Sequence, residues 1–190
     1  MTTSTSNNML KSALIFLLTL SITTAIAQPV EGHPYPIDSN TELISYAGVV
    51  ELPGKTQNDL YKAAEAWVKD FYSNPGSFWV LRDAEKGKIE GKYRFNLMKD
   101  IGGNRIRSNS LIKYTLTLWF KDGKYRYRIT KINLKQTSYF PVERWLEEDQ
   151  YSQEATRDYL KQVEDYAKAL VESLEEGMKS TKSSYNEDDW

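Results

Sequence analysis

The chain has 190 residues, no cysteine, one histidine, and a near balance of 25 basic and 26 acidic side chains. This balance argues against a dedicated nucleic-acid-binding protein, because such a protein carries a strong excess of positive charge. Without cysteine the chain has no disulfide framework and no zinc or iron–sulfur site with thiolate ligands.

Residues 1–27 have the pattern of a secretory signal peptide. A polar start with Lys11 precedes an apolar run over residues 13–22, and Ala25-Ile26-Ala27 supplies the small residues of a cleavage site. The apolar run has about 10 residues, whereas a membrane-spanning helix needs roughly 20, and no later segment is longer or more apolar. No cysteine is available for a lipid anchor. The sequence therefore predicts a soluble protein without a transmembrane segment, secreted across the inner membrane to the periplasm or the medium.

The rest of the chain is predicted to form a single domain with polar ends. Residues 28–41 contain three prolines and predict an extended leader. Residues 42–178 predict one α+β domain, which is long enough to bury its own hydrophobic core. Residues 179–190 predict a disordered acidic tail.

The first predicted elements are a strand and a helix. Residues 42–52 are rich in β-forming side chains and stop at Pro53-Gly54, so they predict a strand. Thr56 and Asp59 have the spacing of a capping box, which predicts a helix start. The predicted helix ends at Asn74-Pro75-Gly76. The apolar residues that share one face of it are Leu60, Ala64, Trp67, Val68 and Phe71.

From residue 77 to residue 135 the hydrophobic pattern changes to a period of two, which is typical of strands. Strands are predicted over residues 78–83, 88–98, 111–121 and 124–135, with a loop at Gly102-Gly103-Asn104. The dipeptide Asp122-Gly123 predicts a two-residue hairpin turn between the last two strands, and such a turn fixes their register.

This register separates apolar from polar side chains. On the polar face, Trp119 is expected to oppose Arg126, and Thr117 is expected to oppose Arg128. The register begins with Lys121 opposite Lys124, and the apolar pairs expected on the core face are Phe120 with Tyr125, Leu118 with Tyr127, and Leu116 with Ile129.

The last third of the chain returns to helical spacing. A short helix is predicted over residues 142–148 and a long one over residues 153–176, with Gly177 at its exit. The order β-α-β-β-β-β-α therefore predicts an α+β fold, in which an antiparallel sheet of about five strands has its helices packed on one face.

Four segments of the chain resemble a family of secreted proteins of Gram-negative bacteria. They are Tyr46-Ala47-Gly48-Val49-Val50, Asp59-Leu60-Tyr61-Lys62-Ala63-Ala64-Glu65-Ala66-Trp67, Gly91-Lys92-Tyr93 and Lys121-Asp122-Gly123-Lys124-Tyr125-Arg126. The family is known as a domain of unknown function with a TBP-like fold, after the TATA-binding protein. The resemblance covers about residues 42–135. It implies a small curved sheet backed by helices and a cell-envelope location, and it implies no activity, ligand or site residue.

The sequence offers no recognisable catalytic, metal or cofactor site. His33 lies in the proline-rich leader, where a general base is poorly positioned, so an incidental linker histidine is the simpler interpretation. Without it the chain has no Ser-His-Asp or Cys-His system and no histidine cluster for zinc. Adjacent acids, such as Glu147 with Glu148 and Glu175 with Glu176, lack the arrangement of a glycosidase pair or a calcium loop. We therefore predict no enzyme activity, no cofactor and no metal.

The predicted polar face of the sheet is the candidate binding surface. Its candidate residues are Lys92, Arg94, Trp119, Arg126 and Arg128, joined by Thr115, Thr117 and Thr130. Guanidinium groups and an indole can bind an anionic or carbohydrate ligand, or a partner protein. Two plainer interpretations stay open at this point. The face is either an ordinary solvated surface, or it is covered by the C-terminal helix, whose acids would pair with these cations.

The sequence thus favours a non-catalytic binding or interaction module of the cell envelope that uses this Arg/Trp face. Its partner would be an unknown envelope component, and we expect no nucleic acid as a partner. One alternative is a carrier of an apolar small ligand, held in a cavity between a curved sheet and the long C-terminal helix. Another is an enzyme with an unrecognised site.

Overall fold

The computed structural model describes residues 34–180 of the chain. Its strands are β1 Tyr46–Glu51, β2 Trp79–Asp83, β3 Lys88–Ile101, β4 Asn104–Lys121, β5 Lys124–Leu134 and β6 Phe140–Pro141. Its α-helices are α1 Gln57–Phe71, α2 Glu148–Tyr151 and α3 Glu154–Lys179, and short 3₁₀ turns occupy Pro75–Ser77 and Val142–Leu146. No helix within this range is long and apolar enough to span a membrane. The predicted signal peptide, residues 28–33 of the leader and residues 181–190 of the tail lie outside the described residues.

The strands form one antiparallel sheet in the order β1-β5-β4-β3-β2. The short strand β6 pairs with β5 beyond the end of β1, with Leu134 opposite Phe140. Helices α1 and α3 pack against each other and share one core with the same face of the sheet. The predicted α+β class is therefore confirmed. Strand β6 was not predicted, because two residues are too few to show a hydrophobic alternation.

The turn at Asp122-Gly123 sets the register of β4 and β5 as predicted. Lys121 pairs with Lys124, and Trp119 pairs with Arg126. The residues that this register places towards the helices are all buried, namely Leu116, Leu118, Phe120, Tyr125, Tyr127 and Ile129. The hairpin therefore has one face in the core and one face turned away from it.

The hairpin loop predicted at Gly102-Gly103-Asn104 is a tight turn, and the hairpin around it is longer than predicted. Strand β3 continues to Ile101, which pairs with Asn104 at the start of β4. Gly102 and Gly103 have φ values of 62° and 84°, which suit the tight two-residue turn of a hairpin. The prediction ends the strand at residue 98 because residues 99–110 are mostly polar and lack the alternation of a half-buried strand.

Helix α1 begins with the predicted capping box. The Asp59 N–H donates to Thr56 Oγ1, and the Thr56 N–H donates to Asp59 Oδ2, both at 3.1 Å. The predicted apolar stripe of α1 faces the core: four of its residues are buried, and Phe71 packs against them from a half-buried position. The spacing of apolar residues therefore placed this helix correctly.

The prediction that Gly177 marks the exit of the long helix is wrong. Helix α3 runs to Lys179, so Gly177 lies inside it. There it faces Trp67 of α1, and an ideal Cβ on Gly177 would lie 2.6 Å from Cδ1 of that indole. This glycine is thus explained by the close approach of two helices rather than by the end of one.

The described part of the predicted leader packs against the domain. Tyr35 is only 6% exposed, and a single antiparallel bridge joins Ile37 to Ile44. The Ile44 N–H donates to Glu143 Oε1 at 2.6 Å, which ties this segment to the 3₁₀ turn after β6. The segment has apolar side chains to bury, and these outweigh the extended character that its prolines indicate.

Three tyrosine hydroxyls meet inside the core. The Tyr114 hydroxyl donates to the Tyr72 hydroxyl at 3.0 Å and lies 3.0 Å from the Tyr166 hydroxyl. Burial raises the pKa of all three phenols, so each stays protonated at neutral pH. The cluster joins the end of α1 to β4 and α3.

Candidate functional site

The side of the sheet away from α1 and α3, here called the open face, carries the predicted binding residues. The side chains of β4 alternate between the two faces, so Lys113, Trp119 and Lys121 lie on the face opposite to the buried Leu116 and Leu118. The residues of β3 and β5 that pair with Lys113, Trp119 and Lys121 lie on this same open face. The basic strand residues of the open face are Lys88, Lys92, Arg94, Lys113, Lys121, Lys124, Arg126 and Arg128. Its acidic strand residues are Glu51, Asp83 and Glu90.

Most of these cations are unpaired. Lys88 forms an ion pair with Glu90 at 3.6 Å, and Lys124 forms one with Glu51 at 3.7 Å. The other six basic residues of the open face have no ion-pair partner among residues 34–180. The open face therefore presents a net positive charge to solvent.

Helix α3 does not cover the open face. Its Tyr166 stacks on Phe95 of β3, with ring centroids 3.9 Å apart, and both residues pack with the core on the opposite side of the sheet. The interpretation in which the C-terminal helix crosses the face and pairs its acids with the cations is therefore wrong for the part of the chain that the structure describes.

Trp119 lies at the centre of a group of cations. The Arg126 guanidinium carbon is 5.3 Å from the centroid of the indole ring, and the Arg128 guanidinium carbon is 5.9 Å from it. The Lys88 ammonium group is 5.8 Å from the same centroid. Contacts of this kind contribute about 0.5–1 kcal/mol each at exposed sites, so the indole helps to hold the cations in place.

Lys88 is a site residue that the sequence analysis missed. It reaches the indole because it pairs directly with Trp119 across β3 and β4. That register does not follow from the Gly102-Gly103 turn alone, because a register shift lies between Asn96 and Met98. Without the shift the turn would place Lys88 opposite Thr117, so the sequence carries no signal for the contact of Lys88 with Trp119.

Two of the predicted threonines lie on the open face as expected but are largely covered there. Thr115 and Thr117 are 5% and 6% exposed, and the alternation of β4 places them on the open face. A threonine side chain is short, and the cross-strand partners of Thr117 are Arg128 and Glu90, so longer side chains flank it. The two threonines therefore offer little surface to a ligand, although Thr115 lines part of a depression of this face.

The guanidinium group of Arg128 has one unsatisfied donor. Its Nε is shielded from solvent and has no hydrogen-bond acceptor among the described residues. The charge of Arg128 also acts on the carboxylate of Asp38. The pKa of Asp38 is lowered mainly by a hydrogen bond from the Asn40 N–H, and the positive charge of Arg128 lowers it further. Arg128 is thus held near the middle of the face without a full set of acceptors.

The predicted residues fall into two depressions of the open face. One, of about 330 Å³, is lined by Trp119, Arg126, Lys121 and Lys124 with Val49 and Tyr125. The other, of about 600 Å³, is lined by Lys92, Arg94, Lys113 and Lys131 with polar residues that include Ser77 and Tyr139. The structure therefore brings all five predicted site residues to one face, but it separates Lys92 and Arg94 from Trp119 and Arg126.

The described part of the open face holds hydrogen-bond donors that suit anions. Residues 34–180 contain neither histidine nor cysteine, and no cluster of acids among them could hold a metal ion. Burial raises the pKa of the Glu143 carboxyl. Glu143 lies in the 3₁₀ turn after β6 and is not a residue of the open face. The open face can therefore bind through charge and hydrogen bonds.

The space between the sheet and α3 is mostly filled. In the described part of the chain, an opening of about 180 Å³ lies between β1 and α3. Its lining includes Ser45, Tyr46, Tyr127 and Val171. Ligand pockets for drug-sized molecules usually have about 300–1,000 Å³. The opening is thus too small for a lipid or pigment, although the buried Ser45 Oγ and Tyr46 hydroxyl in its wall have no hydrogen-bond partner there.

The fold has counterparts in known proteins. A family described as a domain of unknown function (DUF4468) with TBP-like fold matches residues 46–135, which span β1 to β5 and include every strand residue of the open face. No curated protein matches the chain.

Crystal structures of bacterial proteins are similar to this one. A TBP-like protein from Parabacteroides distasonis has a TM-score of 0.62 and 14% identity, over 76% of this chain and 97% of that chain. A DUF4468 family protein from Bacteroides ovatus has a TM-score of 0.62 and 15% identity, over 76% of this chain and 91% of that chain. At these identities the likeness concerns the fold alone. Residues 46–135 thus match the family of domains of unknown function (DUF4468) with TBP-like fold, and the chain shares that fold with these structures.

Proposed function

We propose that this protein is a non-catalytic binding module of the bacterial cell envelope, and that its open face binds an anionic ligand. The observation that carries the proposal is a separation of charge. The open face has eight basic and three acidic strand residues, although the whole chain has a formal net charge of −1. Cations that are gathered on one face repel each other, and an anionic ligand would remove that repulsion.

The arrangement around Trp119 supports this function. A guanidinium group binds carboxylates, sulfates and phosphates through a planar set of N–H donors. Arg126 and Arg128 already lie against the indole ring, so less side-chain freedom would be lost when a ligand binds. Arg128 also has no ion-pair partner among the described residues, and an anionic ligand would supply one.

The location and the absence of catalysis are parts of the same proposal. The pattern of residues 1–27 supports export from the cytoplasm, and both similar structures come from bacteria. The lack of histidine and cysteine from residue 34 to residue 180 supports a binding role over acid–base or thiol catalysis.

The experiment compares two double charge reversals for retention on heparin beads and dextran sulfate beads, with uncharged dextran beads as the blank. Arg126→Glu with Arg128→Glu changes the open face, whereas Lys62→Glu with Lys69→Glu makes the same change of net charge on exposed positions of α1. We expect the wild-type protein and the α1 variant to be retained and the open-face variant to elute early, with unchanged circular dichroism in all three. Equal retention of the two variants would refute the role of the open face.

A second candidate function is the transport of a small apolar molecule. The one observation that favours it is the opening between β1 and α3. Its volume of about 180 Å³ and the unpartnered hydroxyls of Ser45 and Tyr46 suit a small ring or short chain with a hydrogen-bonding group. Native mass spectrometry of the purified protein tests this candidate. A bound small molecule that disappears in Ala167→Trp, which would fill the opening, supports it, and an apo mass counts against it.

A further inference from the structure

We infer that the ligand of the open face is a linear acidic polysaccharide that lies along β4, rather than a compact anion held at Trp119. This inference rests on the proposed function, because it names the ligand class of the same face. It is carried by the way in which the cations are ordered along the strand.

Each row of the open face along β4 contains a cation. A row consists of one residue of β4 and its cross-strand partners. In chain order along β4, the rows are Lys113 with Arg94 and Asn133, Thr115 with Lys92 and Thr130, Thr117 with Arg128 and Glu90, Trp119 with Arg126 and Lys88, and Lys121 with Lys124. The one acid in these rows, Glu90, is the ion-pair partner of Lys88. No row depends on β2 or β1, so the rows form a line, three strands wide, down the middle of the sheet.

The line is too long for a small anion. Successive rows are two residues apart, which is about 6.8 Å in an antiparallel strand, and the distance from Lys113 to Lys121 is therefore about 27 Å. The two depressions of the face lie towards the two ends of this line, one at Lys113 and the other at Lys121. A single phosphate or carboxylate would contact one row and leave the others unneutralised, whereas a linear polyanion would contact all of them.

The spacing and the side chains favour a polysaccharide over a nucleic acid. Duplex DNA carries one charge per about 1.7 Å of its axis, which is far denser than the rows. Proteins that hold single strands stack successive bases on aromatic rings. The described open face offers Trp119, whose ring is already approached by three cations, and Tyr139 at the far depression. Hydroxyl and amide groups of Ser77 and Asn133 line that depression as well, and they suit sugar hydroxyls.

The test measures affinity against chain length by calorimetry with the full-length protein at low salt. The probes are a galacturonic-acid trisaccharide and polygalacturonate chains that span at least the length of the line. We expect the long chain to bind roughly 100-fold more tightly than the trisaccharide after correction for its number of registers, because the rows act together. The variant Arg94→Glu with Lys113→Glu should lose this gain, because it reverses the charge of the row at one end of the line.

Each result has a definite meaning. If the long chain binds no more tightly than the trisaccharide, the linear arrangement is refuted, while the open face remains a binding surface. If neither probe binds and heparin also fails, the proposed function itself is refuted. A single-stranded oligonucleotide of the same length and charge that displaces the bound polygalacturonate at equal or lower concentration would overturn the assignment to a polysaccharide. Failure of the oligonucleotide to compete would support the assignment.

Discussion

The indole of Trp67 occupies the space that a side chain on Gly177 would need. An ideal Cβ at position 177 would lie 2.6 Å from Cδ1 of Trp67 and 3.0 Å from its Cγ. Trp67 is 5% exposed, and its Nε1–H donates to Ser173 Oγ at 3.1 Å. The pair therefore fixes the distance between α1 and α3, the two helices that support the sheet from behind.

Gly177→Ala should destabilise the protein. In a helix without this contact the change would stabilise by about 1 kcal/mol, because alanine is the better helix former. Here the indole has to move, and overpacking of this kind costs about 1–3 kcal/mol. Urea unfolding measures the difference. Gly76→Ala is the control, because its Cβ would meet only Asn74 Oδ1, at an ordinary 3.6 Å. A higher urea midpoint for Gly177→Ala would contradict the close contact.

Tyr114→Phe should destabilise the core through its hydrogen bonds. The Tyr114 hydroxyl contacts both the Tyr72 and the Tyr166 hydroxyls, so its removal leaves two buried groups without that partner. Unsatisfied buried polar groups cost about 1–3 kcal/mol each. Thermal and urea unfolding measure the loss, and Tyr139→Phe, at a position that is 64% exposed, should change neither. A loss no larger than that of the control would show that the tyrosine cluster contributes nothing.

Glu143→Gln should stabilise the protein more at neutral pH than at acid pH. Burial raises the pKa of the Glu143 carboxyl, although the hydrogen bond from the Ile44 N–H acts in the opposite direction. The folded state therefore favours the protonated form, and the stability that this form gives is lost as the pH rises through the raised pKa. Glutamine keeps an acceptor for the Ile44 N–H and carries no charge.

Urea unfolding of both proteins at about pH 4 and about pH 7 checks this prediction. The variant should gain on the wild-type protein as the pH increases. Asp59→Asn is a useful comparison, because hydrogen bonds from Thr56 lower the pKa of Asp59, and removing its charge should cost more at neutral than at acid pH. A difference between Glu143→Gln and the wild-type protein that shrinks as the pH rises would contradict the assignment.

Arg126→Ala should weaken binding without unfolding the protein. Arg126 is exposed, and its described contact is the cation–π contact with Trp119, which is worth about 0.5–1 kcal/mol. We therefore expect at most that loss of stability in urea, together with earlier elution from heparin beads. Lys62→Ala on α1 should change neither. A loss of several kcal/mol would mean that Arg126 has a structural role instead.

The hairpin at Asp122-Gly123 shows how far the sequence could predict the site. A two-residue turn leaves one register for its strands, so the position of Trp119 beside Arg126 followed from the sequence and is confirmed. The length of the hairpin at Gly102-Gly103 did not follow, because its flanking strands are polar on both faces and show no alternation. The register shift between Asn96 and Met98 also has no signal in the sequence, so the pairing of Lys88 with Trp119 could not be predicted.

Two other features depend on contacts that the sequence does not show. Gly177 stands where a helix-ending glycine is expected, and only its approach to Trp67 reveals why it is there. The charge of the open face is hidden for a different reason. Its eight basic strand residues come from three strands, whereas only three acidic strand residues share the face, and a count over the whole chain does not show this separation. Balanced composition therefore did not indicate a basic face.

The indole N–H resonance of Trp119 tests the central claim most directly. In a ¹⁵N-labelled sample titrated with heparin, we expect the Trp119 signal and the backbone amides of β4 and β5 near it to shift, while the signal of Trp67, between the two helices, stays unchanged. A Trp119→Phe variant assigns the signal. Shifts at Trp67 with none at Trp119 would show that the anion binds elsewhere and would contradict the account.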